Sequence, residues 1–114
     1  NIDAEVTLSM LSKALVAELA RLSPYGEGNP LPLFAAMNVK VVGQPRRIGS
    51  KGQHLSFYVK QGDVAIRAVA FGMGEQFERL QKNGKTCSLA FAIKINNWMD
   101  SENLELEVKD IKFE

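Results

Sequence analysis

The sequence predicts a mainly β fold, a small five-stranded barrel led by a helix, and three observations carry that reading. From Phe34 onward, runs of alternating apolar and polar residues recur between turn-forming residues, as half-buried strands do. Before that region stands one set of leucines at helical spacing. Within it, one short helical pattern separates three strand-like runs from two more.

In chain order, Ile2, Ala4, Val6 and Leu8 alternate with Asp3, Glu5 and Thr7. This predicts an extended lead-in with no evident partner among the five strands, one that would pair with another domain. Ser9 is placed to cap a helix by accepting a hydrogen bond from a first-turn amide. Leu11, Leu15, Leu19 and Leu22 then form one apolar stripe along a helix from about Met10 to Leu22. Ser23-Pro24 ends it, because the residue before proline is pushed out of helical geometry. The segment from Pro24 to Pro32 holds three prolines and two glycines and reads as an ordered connector. Residues 1–33 are thus expected to be lead-in, helix and connector, and residues 34–114 the barrel.

The first barrel strand is expected over Phe34 to Val42, ending at Gly43. The second, His54 to Lys60, sets Leu55, Phe57 and Val59 inward and His54, Ser56, Tyr58 and Lys60 outward. Gln61-Gly62-Asp63 signals a hairpin into the third, Val64 to Phe71. The fourth, Thr86 to Asn96, turns Cys87, Leu89, Phe91, Ile93 and Ile95 inward. The fifth, Leu104 to Phe113, turns Leu104, Leu106 and Val108 inward and leaves Glu105, Glu107 and Lys109 as a wet face. Between the third and fourth, Phe77 and Leu80 share a helical face, and Gly84 suits the left-handed C-terminal position. Three strands, a short helix and two strands is the order of the five-stranded OB barrel, whose closure leaves no open edge.

A chain of 114 residues with 46% apolar side chains builds one ordinary globular domain. No run approaches the roughly 20 apolar residues of a membrane span, so no membrane partner is expected. Cys87, the single cysteine, cannot form an internal disulfide, which fits a reducing cytoplasmic compartment. The opening Asn1-Ile2-Asp3 shows neither an initiator methionine nor a signal peptide, and reads as a piece excised from a longer chain.

The net charge of +1 conceals a segregation. Lys40, Arg46, Arg47, Lys51 and Lys60 fall in a stretch without a single acid, whereas from Asp100 to Glu114 six acids face only Lys109 and Lys112. Composition alone leaves two readings of the basic stretch open, a phosphate-binding surface or a solvated loop. Catalysis is not expected. One histidine and one cysteine on different strands make no metal centre, and nothing pairs His54 with a nucleophile and an orienting carboxylate. Gly72-x-Gly74 lacks the rest of a dinucleotide fingerprint. No catalytic and no metal-binding residues are therefore assigned.

The run from Leu22 to Phe34, with Pro24-Tyr25-Gly26-Glu27-Gly28-Asn29-Pro30-Leu31-Pro32 at its heart, resembles a segment of the RecJ family of single-strand-specific 5′→3′ DNA exonucleases. Gly52-x-His54-Leu55, Ala70-Phe71-Gly72, Asn96-x-Trp98 and Leu104-x-Leu106 follow in the family's order, so the resemblance covers nearly the whole chain. It implies an OB-type accessory domain that grips single-stranded DNA for catalytic domains elsewhere in the parent chain, domains that use Mn or Mg. The motif's own residues have a structural reading, with Gly26 and Gly28 in conformations closed to other residues and the prolines fixing the path. Glycine amides meeting phosphate are the alternative.

OB barrels hold oligonucleotides across strands two and three, flanked by the loops joining strands one to two and four to five. Here the first loop, Gly43 to Gln53, carries Arg46, Arg47 and Lys51, and the second, Asn97 to Asn103, carries Trp98. His54, Tyr58, Lys60 and Arg67 face outward between them. Cations track the backbone while Tyr58 and Trp98 offer rings for stacking. Trp98 could instead cap the barrel end, and Tyr58 could pack against another domain. The rival function is a docking module within the parent enzyme. RNA in place of DNA is a third possibility, because stacking and backbone tracking need no 2′-hydroxyl contact.

Overall fold

The computed structural model describes residues 2–12, 15, 32–82, 86–98 and 101–114, with backbone alone at 96–98 and 101–102. The strands are β1 (Ala4–Glu5), β2 (Phe34–Ile48), β3 (His54–Gln61), β4 (Val64–Ala70), β5 (Thr86–Trp98) and β6 (Ser101–Phe113). A 3-10 turn, Gly74–Gln76, and a helical turn, Phe77–Leu80, stand between β4 and β5. The sheet runs β1-β2-β3-β4-β6-β5, and a further β2–β5 pairing closes β2 to β6 into a barrel. All neighbours in the barrel are antiparallel except β4 and β6. The expected five-stranded barrel with a short helix between its third and fourth strands is what the chain forms.

The core follows the alternation. Leu55, Phe57 and Val59 from β3, Cys87, Leu89 and Phe91 from β5, and Leu106 and Val108 from β6 pack inside with Val39 and Val41. Burial and, second, the nearby Glu114 carboxylate push the Cys87 thiol up to about 11. Leu80 of the helical turn is also buried and closes one end of this core.

The structure corrects four expectations. The lead-in has a barrel partner after all: β1 lies parallel to the start of β2, with Ala4 opposite Phe34 and Glu5 opposite Ala35. Asp3 and Leu33 tie the two segments twice, the Asp3 amide donating to the Leu33 carbonyl and the Leu33 amide to the Asp3 carboxylate, each at 2.7 Å. Leu8 is fully buried, and its amide donates to Gln61 Oε1 at 2.7 Å while Gln61 Nε2 donates to the Met37 carbonyl. Parallel pairing across a long connection leaves no local sequence signal, which is why the pattern hid it.

Second, the helix expected from about Met10 to Leu22 with Ser9 as its cap does not begin there. Leu8–Met10 is a 3-10 turn and Leu11 is extended. The Ser12 hydroxyl accepts the Leu15 amide at 3.0 Å, the bond expected of a cap. The rest of that helix, and the proline-glycine connector up to Leu31, lie outside the described residues, as does Gly84. Third, β2 runs past Gly43 to Ile48, and β5 and β6 pair as far as Trp98 opposite Ser101. Both expected loops are thus largely strand. Fourth, Glu105 is buried rather than wet.

Leu8→Ala should cost about 2–5 kcal/mol in urea denaturation, because it empties a buried site at the root of the lead-in. The raised Cys87 pKa favours the neutral thiol in the folded state. Stability conferred by that thiol is therefore intact below pH 9 and should decline between about pH 9 and pH 11, an alkaline loss absent from Cys87→Ala.

Candidate nucleic-acid interface

Cross-strand pairing decides which residues share a face. Tyr58 stands opposite Val42 on one side and Arg67 on the other, and Arg67 stands opposite Glu105 of β6. One row across the outer face is therefore Val42, Tyr58, Arg67, Glu105. Next to it, Arg46 pairs with Ser56 and Ser56 with Val69; on the other side, Lys40 pairs with Lys60. The outer face of β2, β3 and β4 thus collects Lys40, Arg46, Lys60 and Arg67 around Tyr58, which is 51% exposed. Like charges directly opposite one another, as at Lys40 and Lys60, are unfavourable in an empty sheet and relieved by an anion.

The expected site residues separate into groups. Arg46, Tyr58, Lys60 and Arg67 share this face. Arg67 is partly committed, since its guanidinium forms an ion pair with the buried Glu105 carboxylate. Arg47 alternates to the other face, opposite Leu55, and its guanidinium lies over the Phe77 ring at 4.8 Å from the centroid. That contact leaves Arg47 exposed at the barrel end, beside the turn that carries Lys51. His54 is half-buried at the same end; its Nδ1 accepts the Gly72 amide at 2.8 Å. Trp98 ends the β5–β6 hairpin, and its side chain lies outside the described residues.

Where β4 and β6 part, only Arg67, Ala68 and Val69 of β4 find β6 partners. A cleft of about 750 Å³ opens there, lined among others by Leu11, Tyr58, Val64, Arg67, Asn103 and Glu105. Its size is that of an ordinary ligand site, and its walls combine apolar and charged groups. Among the described residues no three histidine, cysteine or carboxylate side chains converge as metal ligands. His54, its Nδ1 already bonded, and the buried Cys87 do not fit a Mn or Mg site either. No described helix is long and apolar enough to cross a membrane.

A closed five-stranded barrel with a helical turn between its third and fourth strands, and a cationic outer face on its first three, defines an OB-fold domain. The second OB-fold domain of replication protein A from Methanococcus maripaludis shares that fold, with a TM-score of 0.50 and 20% identity over 75% of this chain and 84% of that one. More specifically, the chain belongs to the RecJ OB domain family, whose model matches residues 2–110. It is 30% identical over 95 residues to the single-stranded-DNA-specific exonuclease RecJ of Bacillus subtilis, covering 83% of this chain. RecJ from Thermus thermophilus in complex with Mn2+ superposes with a TM-score of 0.64 at 28% identity, over 97% of this chain and 15% of that one. The chain spans 12% of the length of the Bacillus relative.

The barrel end that holds Lys51 is braced by backbone contacts. The Gly74 amide donates to the Gln53 carbonyl at 3.0 Å, and a side chain at Gly74 would meet the Gly52 carbonyl oxygen at 2.7 Å. Gly74→Ala should therefore push the 49–53 turn away and cost about 1–3 kcal/mol, read as a lower melting temperature. An unchanged melt would show that the two turns are not coupled.

Proposed function

We propose that this domain binds single-stranded DNA as the accessory OB domain of a RecJ-like 5′→3′ exonuclease of DNA repair and recombination, and that it is not itself catalytic. The observation that carries this is the placement of the basic stretch. Pairing of β2 with β3 lays Lys40, Arg46 and Lys60 on the face that exposes Tyr58. Cations that track a backbone, set around an exposed ring, are what a single strand requires of a sequence-tolerant binder. Family membership supports the nuclease context, since the Bacillus relative is named for its single-strand specificity. In this reading Mn or Mg serves catalytic domains elsewhere in a cytoplasmic parent chain, and those domains are the protein partners.

A docking role has its own support. Ile2, Met10 and Met37 are 47%, 57% and 43% exposed, and the latter two lie on the segments that Gln61 ties together. Large apolar groups in water suit contact with the rest of a larger enzyme.

Salt dependence separates the two roles. Changing Arg46 and Arg47 together to Ala should weaken binding to single-stranded DNA of any sequence. It should also flatten the dependence of log affinity on log salt by roughly 0.7 for each phosphate left without its arginine. The single variants report the outer face and the barrel end separately. The measurement is a fluorescence titration of a labelled oligonucleotide at several salt concentrations, with folding checked by circular dichroism. If the folded double variant keeps the original affinity and slope, the strand does not pass these arginines and the docking role leads.

A further inference from the structure

The barrel end carries an aromatic ring that the outer face of β2, β3 and β4 does not use. Phe71 follows β4 directly and is 54% exposed, whereas Phe34, Phe57 and Phe91 are buried and Phe77 and Phe113 half-buried. Its backbone is not free to carry it inward. The Gly72 amide is held by His54 Nδ1, and Gly72 itself sits at φ +73°, open to glycine alone without strain. The His54 ring meets the Phe71 ring nearly edge-on, 5.2 Å between centroids and 72° between planes. The bond from Gly74 to Gln53 fixes the same turn to the segment that carries Lys51. A large apolar ring is thus held in water at a defined place, next to the cationic end of β2.

We propose that Phe71 is a base-stacking platform, receiving a nucleobase of a single strand whose phosphates pass Arg46 and Lys51. This rests on the proposed DNA binding and adds a second contact point to it. Charge complementarity selects the occupant. Lys51, on the turn tied to Gly74, and Arg46 and Arg47, at the end of β2, outnumber the exposed Glu75 and Glu78 that follow Phe71, and a nucleotide brings both a negative charge for those cations and a flat apolar face for the ring. His54 and Tyr58 lie four residues apart on β3, so Phe71 and Tyr58 stand about 13 Å apart along the strand direction. At the rise of about 3.4 Å per base of a stacked strand, that distance spans about four nucleotides.

The test compares the unaltered chain with Phe71→Ala, Phe71→Leu and Phe71→Trp on oligothymidylate and on an abasic strand of equal length, at several salt concentrations. Phe71→Ala and Phe71→Leu should lower affinity for oligothymidylate about fivefold to a hundredfold with the salt slope unchanged. Both should leave the already weaker abasic strand unaffected. Leucine keeps apolar contact with His54 but offers no ring face, so it carries the result if the alanine variant does not fold. Phe71→Trp should retain affinity, and its added emission should be quenched by oligothymidylate and not by the abasic strand. Normal binding by the folded leucine variant overturns the proposal while the DNA-binding reading stands. An equal loss on the abasic strand also overturns it, making Phe71 a structural prop for the turn. Failure of the unaltered chain to bind either strand overturns the DNA-binding reading, and this one with it; Phe71 would then be part of a protein contact.

Discussion

Fifteen consecutive strand residues, Phe34 to Ile48, have to serve three neighbours at once. The first half of β2 lies between β1 and β5, and its second half turns to pair with β3. A straight strand cannot do this, because closing a barrel requires its strands to bend and shift register. β2 bends twice. The β5 register shifts between Ala36 and Val39, where Asn38 takes φ +56°, a conformation asparagine tolerates better than most. The β3 register shifts between Val42 and Arg46, where Gly43 takes φ +70° and Pro45, which has no amide to pair, is buried in the bulge.

The second bend sets the site. Two extra residues on β2 carry the chain around the corner without changing which face it presents, so Arg46 still points the same way as Val42, opposite Ser56 and Tyr58. Shortening the bulge by a single residue would exchange Arg46 with Arg47 and turn Arg46 toward the core side. The charges on that face are not equivalent. Arg67 shares itself with a buried carboxylate, and an ion pair of this kind costs more to break than it contributes as a phosphate contact. Lys40, Arg46 and Lys60 are exposed and lie further from that carboxylate along β2 and β3. Arg67 then serves chiefly to hold β4 against β6 beneath Tyr58, while the lysines and Arg46 meet the solvent.

The barrel was legible because its strands are buried on one face, so a period of two shows directly which residues go inside. Leu55, Phe57 and Val59 needed nothing further. Strand ends were less legible: Gly43 reads as a terminator, yet here it is the bend that lets the strand continue. The β5–β6 hairpin ran longer than its apolar residues because backbone pairing does not stop where burial does. Glu105 looked wet because alternation cannot tell solvent from an arginine across the sheet. Phe71 was within reach, since the short Gly62-Asp63 turn fixes a register that sets it across from His54. Counting it as the last strand residue concealed that it stands beyond the pairing, in water. Parallel contact between β1 and β2 left no trace in the pattern at all.

If the domain holds a single strand as proposed, its near-neutrality suits that task. Each phosphate contact adds affinity and adds salt dependence together, so a domain covered in cations would bind tightly, everywhere on its surface and only at low salt. Setting Lys40, Arg46 and Lys60 on one face of β2 and β3 would give the strand a direction instead. Acids on β6, two of them paired with Arg67 and Lys109, would keep it off the neighbouring strand. Stacking on exposed rings would then supply affinity that salt does not erode. By the same reasoning the C-terminal strand would bound the proposed binding surface, its acids without a cation partner acting by repulsion where the cations act by attraction.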